Sequence, residues 1–160
     1  ESWRGFIGVL PEAGAWNVGG APGFFKFASP YAAIRLLGGS SDLAWFIQLV
    51  IAFTAIIALI VVSWRRPNGA AEIALLIAAT GLFVPFFGDY DMVIFAIPGA
   101  WLISQAVAHG WLPYERAALA ALYLTPFVTI PASSNGVPLA PIAVMALTIL
   151  IIRRIRSSPI

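Results

Sequence analysis

The sequence has no cysteine, a single histidine and very little charge: Lys, Arg, Asp and Glu make up only 10% of its 160 residues. Without cysteine there is no disulfide, no thiolate metal site and no cysteine nucleophile. Soluble domains carry about 25% charged residues, so a chain this poor in charge cannot cover a water-facing surface. The net charge of +2 is too small and too scattered to hold nucleic acid. Strand-like alternation, internal repeats and low-complexity tracts are also missing. What fills the chain is apolar, 61% of residues, with a mean hydropathy of +0.92. The expected class is an all-α integral membrane protein. The chain opens on Glu1, in mid-pattern and with no signal-type leader, as expected of the C-terminal part of a longer protein.

A helix crossing the hydrocarbon core needs about 20 apolar residues. Residues 43–63 meet this with only Gln48 interrupting, and Trp64, Arg65 and Arg66 follow. Residues 70–87 form a second expected span, with Glu72 near its start, and residues 92–108 a third, with Pro98-Gly99 as its expected kink. Residues 117–132 and 137–152 are shorter, ~24 Å each at the α-helical rise, and "SSNG" between them predicts a tight turn. About five transmembrane helices are expected, the last two tilted, extended or partly re-entrant.

Arginines set the direction. Arg65 and Arg66 follow the first span, Arg116 precedes the fourth, and Arg153, Arg154 and Arg156 open a tail over 153–160. With alternating spans all fall on one side, the cytoplasm. Residues 1–42, the Gly-Asp-Tyr-Asp segment and Ser133–Gly136 fall on the other. Residues 1–42 are too broken by Gly and Pro to span, and form an external loop. Within it residues 29–39 predict a short helix, capped by Ser29, opened by Pro30 and stopped by Gly38-Gly39. Its posture is expected to be flat on the outer membrane surface.

Two acids, Asp89 and Asp91, flank Tyr90 at the outer end of this greasy sequence. One reading is structural: Asp89 caps the third span and Asp91 adds charge at its positive end. The other places them in an outward site as base, hydroxyl anchor or cation ligand. Two residues apart on a helix they point ~200° away from each other, so one can cap while the other faces a cavity. The Asp-x-Asp string of soluble, metal-dependent glycosyltransferases needs a strand end, which this chain lacks. The external bases Arg4, Lys26 and Arg35 suit either anionic headgroups or a lipid phosphate. His109 is expected to be an interfacial loop residue, and Asn17 and Gln48 local hydrogen-bonding groups. The six tryptophans are expected near the span ends as an aromatic belt. Prolines toward the outer halves of the spans favour an outward pocket.

"GAPGFFKFASPYAAIRLLGG", "LAWFIQ" and "VPFFGDYDMVIFAIPGAWL" together resemble the C-terminal half of glycosyltransferase family 87, the bacterial polyprenol-phosphate-dependent mannosyltransferase relatives. That resemblance implies a GT-C bundle in the bacterial inner membrane, with its site facing the periplasm. The implied donor is a polyprenyl-phosphate sugar and the implied acceptor a lipid or glycan. No metal site and no further cofactor are implied. The catalytic base of such enzymes is an acid of the first external loop, which would lie upstream of Glu1, so no catalytic residue is assigned within this chain. Asp89, Tyr90 and Asp91 fall where some relatives carry a histidine pair. Lys26 and Arg35 match basic positions near the donor phosphate, and Arg4 joins them as a substrate-binding candidate. The rival readings are a transporter or flippase-like protein, or a membrane subunit without chemistry. Against a transporter, no span centre carries the ionisable group such paths usually retain.

Overall fold

The computed structural model describes residues 2–20, 23–65 and 69–157, and these are almost entirely helical. Seven α-helices occur among them: α1 (Ser2–Val18), α2 (Pro30–Leu36), α3 (Ser41–Arg65), α4 (Gly69–Phe83), α5 (Ala96–His109), α6 (Glu115–Ser134) and α7 (Leu139–Ser157). Short 3-10 turns at Phe24–Lys26 and Tyr90–Phe95 precede α2 and α5. Three helical stretches, Ser41–Arg65, Tyr90–His109 and Glu115–Ser134, are long and apolar enough to cross a membrane. The chain is thus an all-helical membrane protein candidate on length and composition. Each of the five apolar segments expected from the sequence lies on a helix. The second, α4, is shorter than a full span at 15 residues, ~22 Å at the α-helical rise.

Helices α3 to α7 alternate in direction. Gln48 near the start of α3 bonds Leu82 and Phe83 at the end of α4, and Arg154 at the end of α7 meets Glu115 at the start of α6. Arg65, Arg116 and Arg153 to Arg156 therefore share one end, while Lys26, Arg35 and the Gly-Asp-Tyr-Asp turn share the other. Arg66 lies outside the described residues.

The core runs along α4 and α7. Ala71, Ala74, Ala78 and Ala79 are buried on α4, and Val144, Leu147 and Ile151 on α7. Small side chains let two helices approach in a setting where lipid tails are as apolar as leucine. Gly81 marks a close approach: a Cβ there would lie 2.9 Å from the Phe95 ring and 3.1 Å from Val144.

Several sequence expectations need correction. The second helix stops at Phe83 rather than 87, because Pro85 disfavours helical backbone at Val84. Pro98 is the third residue of α5, just after the 3-10 turn Tyr90–Phe95 gives way to α-helix. Residues 2–18, expected as broken loop, form α1, which carries Pro11 inside and buries none of its residues. The segment from Arg153 to Ser157 is the last turn of α7 rather than a free tail, and Arg154 is buried there; residues 158–160 lie outside the described residues.

The helix expected over 29–39 forms as α2. The Ser29 hydroxyl accepts from the Ala32 N–H at 3.1 Å and Pro30 opens the first turn. The helix packs on α3, and Tyr31 is wholly buried among Phe24, Trp45 and Phe86 at ring distances of 5.0–6.3 Å. Protein aromatics cover Tyr31, while Leu37 near the end of the same helix is 63% exposed.

Candidate functional site

The turn bearing the two acids is held to the outer segment by a short antiparallel bridge, Phe27 opposite Gly88. The Ala28 N–H donates to the Phe87 carbonyl at 2.7 Å, and the Asp89 N–H to the Lys26 carbonyl at 2.9 Å. The Ser29 hydroxyl, besides capping α2, donates to the Pro85 carbonyl. One serine thus fixes both α2 and the turn.

Within the turn the two acids do different things. Asp91 Oδ2 accepts the Gly88 N–H at 3.0 Å, while the Asp91 N–H returns to the Gly88 carbonyl at 3.1 Å. A Cβ at Gly88 would lie 2.9 Å from the Tyr90 ring and 3.2 Å from Asp91 Oδ2, so glycine is what lets the turn close. Asp89 makes no side-chain cap. It is half-buried and, with the exposed Tyr90, stands at the head of a groove.

That groove, about 550 Å³, lies between residues 90–103 and α6. Ala96, Gly99 and Ala100 floor one side; Leu122, Pro126 and Phe127 wall the other. Residues 96, 99 and 100 share one helical face at i, i+3, i+4 spacing, and their small side chains leave the space. This pattern was readable in the sequence, yet the groove was not anticipated; the prolines pointed to an outward pocket, and Pro126 does line this one.

The bases are less tightly gathered. Lys26 sits opposite Asp89 across the bridge, its ammonium 5.7 Å from the centre of the Phe25 ring. Arg35 lies on α2 with its guanidinium 5.0 Å from the Phe24 ring centre, and Nη1 donates to the Gly39 carbonyl at 3.1 Å. Arg35 and Lys26 thus lie over two different, neighbouring rings of the 24–26 turn. Arg4 is exposed in the first turn of α1, ~21 Å along that helix from Val18 at the α-helical rise.

Gln48 and His109 both make hydrogen bonds to backbone carbonyls. Gln48 is buried, accepts the Tyr31 N–H at 2.9 Å and donates to the Leu82 carbonyl at 2.7 Å. His109 closes α5, exposed, its Nδ1 3.2 Å from the Gln105 carbonyl. Among the described residues no group of three or more His, Asp or Glu side chains could hold a metal ion.

Fold and groove together define a class: an all-helical protein with candidate membrane spans and an apolar lateral groove headed by an acid. Comparison of the chain with protein-family models, with curated proteins and with solved structures gives no match in any of the three.

Proposed function

We propose that this chain is part of a membrane glycosyltransferase moving a hexose, mannose by the resemblance above, from a polyprenyl-phosphate donor to a lipid or glycan acceptor at the outer membrane face. The observation that carries this reading is the pairing of Asp89, free of side-chain partners among the described residues, with Lys26 directly across the bridge, at the head of an apolar groove. The transfer needs an acceptor for sugar or acceptor hydroxyls, a cation for the leaving phosphate and an apolar lateral surface for a lipid. Those three elements meet at this end of the molecule.

In the proposed reaction an acceptor hydroxyl displaces phosphate at the sugar C1 with inversion. The acceptor oxygen forms the new bond as the C1–O bond to phosphate breaks, and the hydroxyl proton passes to an acid of an earlier external loop. Lys26, and Arg35 behind it, offset the charge growing on the departing phosphate. Asp89 and Tyr90 hold hydroxyls, and Asp91 holds the turn that carries them.

The test is transfer by the full-length protein in membranes, using a labelled polyprenyl-phosphate sugar. Asp89→Asn is expected to lower transfer with the protein level unchanged. Undiminished turnover in that variant would remove the assignment.

A further inference from the structure

Helix α1 stands apart from the rest of the chain. It buries none of its 17 residues, and a Cβ added at Gly5, Gly8 or Gly14 would meet nothing within 4 Å. It is also weak by composition, since glycine and an interior proline are the poorest helix formers and α1 carries Pro11 besides those glycines. Isolated helices of roughly 12–15 residues are marginal in water even when rich in alanine. A helix of this make-up therefore needs a partner beyond the described residues.

Its side chains divide in a way that selects the partner. At ~100° per residue, Trp3, Phe6, Ile7, Val9, Leu10 and Trp16 fall on one half of the helix, all of them 48–77% exposed. The other half holds both charges, Arg4 and Glu12, with Gly5, Gly8, Pro11 and Ala15. That division suits a helix lying between oil and water. Trp3 and Trp16, near the two ends, are of the residue type that settles at headgroup level. Upright, the helix would carry Glu12 into hydrocarbon, and at ~25 Å it falls short of the ~30 Å core. Lying flat, it keeps both charges in water.

The tether brings that boundary within reach. Val18 is joined to Phe24 by at most ~22 Å of extended chain. The Phe24–Lys26 turn is in turn bonded to the head of the candidate span Tyr90–His109, through the Asp89 N–H to Lys26 carbonyl bond. The end of α1 is thus held beside the outer span ends. We propose that α1 is an in-plane membrane anchor: its apolar half lies in the outer-leaflet interface, with Arg4 and Glu12 turned to water. One base and one acid leave the helix without net charge, so its partner is the apolar boundary of the bilayer and not an anionic headgroup.

This inference needs the outward placement of the span ends but no group transfer. The chain has no cysteine, so single nitroxide labels are placed at Phe6→Cys, Leu10→Cys, Gly8→Cys and Ala15→Cys in the full-length protein, any cysteine elsewhere in it being replaced by serine. All four positions are exposed, and Ile7→Cys and Gly5→Cys repeat the reading on each half. In phosphatidylcholine vesicles, collisions with oxygen and with a water-soluble nickel chelate report depth. Labels at Phe6 and Leu10 are expected about 5–10 Å below the headgroups, those at Gly8 and Ala15 in water, and phosphatidylglycerol is expected to change neither. Every label in water leaves α1 in solvent and overturns the proposal. So does a depth that grows steadily along the helix, which makes it a span. Labels at Phe6 and Leu10 shielded from both reagents put protein against the apolar half, and insertion only with phosphatidylglycerol makes charge the driver; either result also overturns it. Depth is read without turnover. Lost transfer with the depth pattern intact counts against the transferase alone, and active transfer with the apolar half in water counts against the anchor alone.

Discussion

Lys26 and Asp89 stand opposite each other in a bridge between the outer segment and the α4–α5 turn, joined by the Asp89 N–H to Lys26 carbonyl bond of 2.9 Å. Their backbones are bonded while their charges are not: the Lys26 ammonium rests over the Phe25 ring. A lysine held this way keeps a strongly hydrated point charge within reach of a phosphate. An aspartate without a cap or ion pair keeps both oxygens free for a ligand.

Transfer assays should separate the two acids. Asp89→Asn lowers kcat/KM about 10- to 100-fold, as expected where charged hydrogen bonds to substrate are lost. Asp91→Asn retains an oxygen for the Gly88 N–H and should leave the unfolding midpoint in detergent nearly unchanged. Asp91→Ala, which removes that acceptor, should cost about 1 kcal/mol of stability. An Asp89→Asn variant as active as the parent would exclude the hydroxyl-binding role.

Gln48 should be worth more to stability than any charged residue at the outer end. Its amide joins three elements, accepting from the Tyr31 N–H and donating to the Leu82 and Phe83 carbonyls, in a site that is 1% exposed. Gln48→Leu conserves volume but strands the Tyr31 N–H and the α4 carbonyls. The expected loss is ~2–3 kcal/mol, read as a lowered unfolding midpoint, with Gln48→Glu intermediate because it keeps the acceptor. A neutral Gln48→Leu would mean that water or lipid headgroups already serve those groups.

These residues show what the sequence could and could not reveal. Apolar length located the helical segments, and Ser29, Pro30 and Gly38-Gly39 located α2, because caps and stops act within a few residues. The same rules missed the end of α4 by four residues at Pro85, and drew the third span's α-helix from 92 where it begins at Ala96, after a 3-10 turn. The positions of Asp89 and Lys26 at one end followed from the arginine pattern. Their direct opposition did not, since it depends on a bridge between segments some sixty residues apart. Gln48 looked like a blemish in a hydrophobic run; only the packing of α2 and α4 around it makes it a junction. α1 was missed for a different reason. Its Trp3, Phe6, Ile7 and Leu10 recur at helical spacing, but Gly5, Gly8, Pro11 and Gly14 outweighed them.

Gly81 offers a stability test inside the α4–α7 contact. A methyl there meets the Phe95 ring and Val144 at distances below ordinary contact, and both neighbours are buried. Gly81→Ala gains helix propensity of about 1 kcal/mol, but overpacking of a filled core costs ~1–3 kcal/mol. The net expectation is a lower midpoint, rescued in part by Val144→Ala, which clears one of the two obstructions. Stabilisation by Gly81→Ala alone would show that α4 and α7 can move apart freely.

The last prediction concerns the opposite end, where charge was read as topology and the structure finds it inside. Glu115 is fully buried and Arg154 is 2% exposed. Arg154 Nη1 lies 3.6 Å from Glu115 Oε2, Arg154 Nη2 donates to the Gly110 carbonyl at 2.9 Å, and Glu115 accepts the Leu112 N–H at 2.9 Å. The pair closes the α5–α6 turn onto the end of α7, while Glu115 Oε1 has no hydrogen-bond partner among the described residues. Breaking a buried pair strands a charge and costs roughly 3–5 kcal/mol, whereas removing both partners together is often close to neutral. Glu115→Leu and Arg154→Met should each lower the unfolding midpoint sharply, and the double variant should recover much of the loss. Arg153→Met, on the exposed neighbour, should leave stability unchanged. Losses that simply add in the double variant would mean that Glu115 and Arg154 act independently, each through its own backbone contacts.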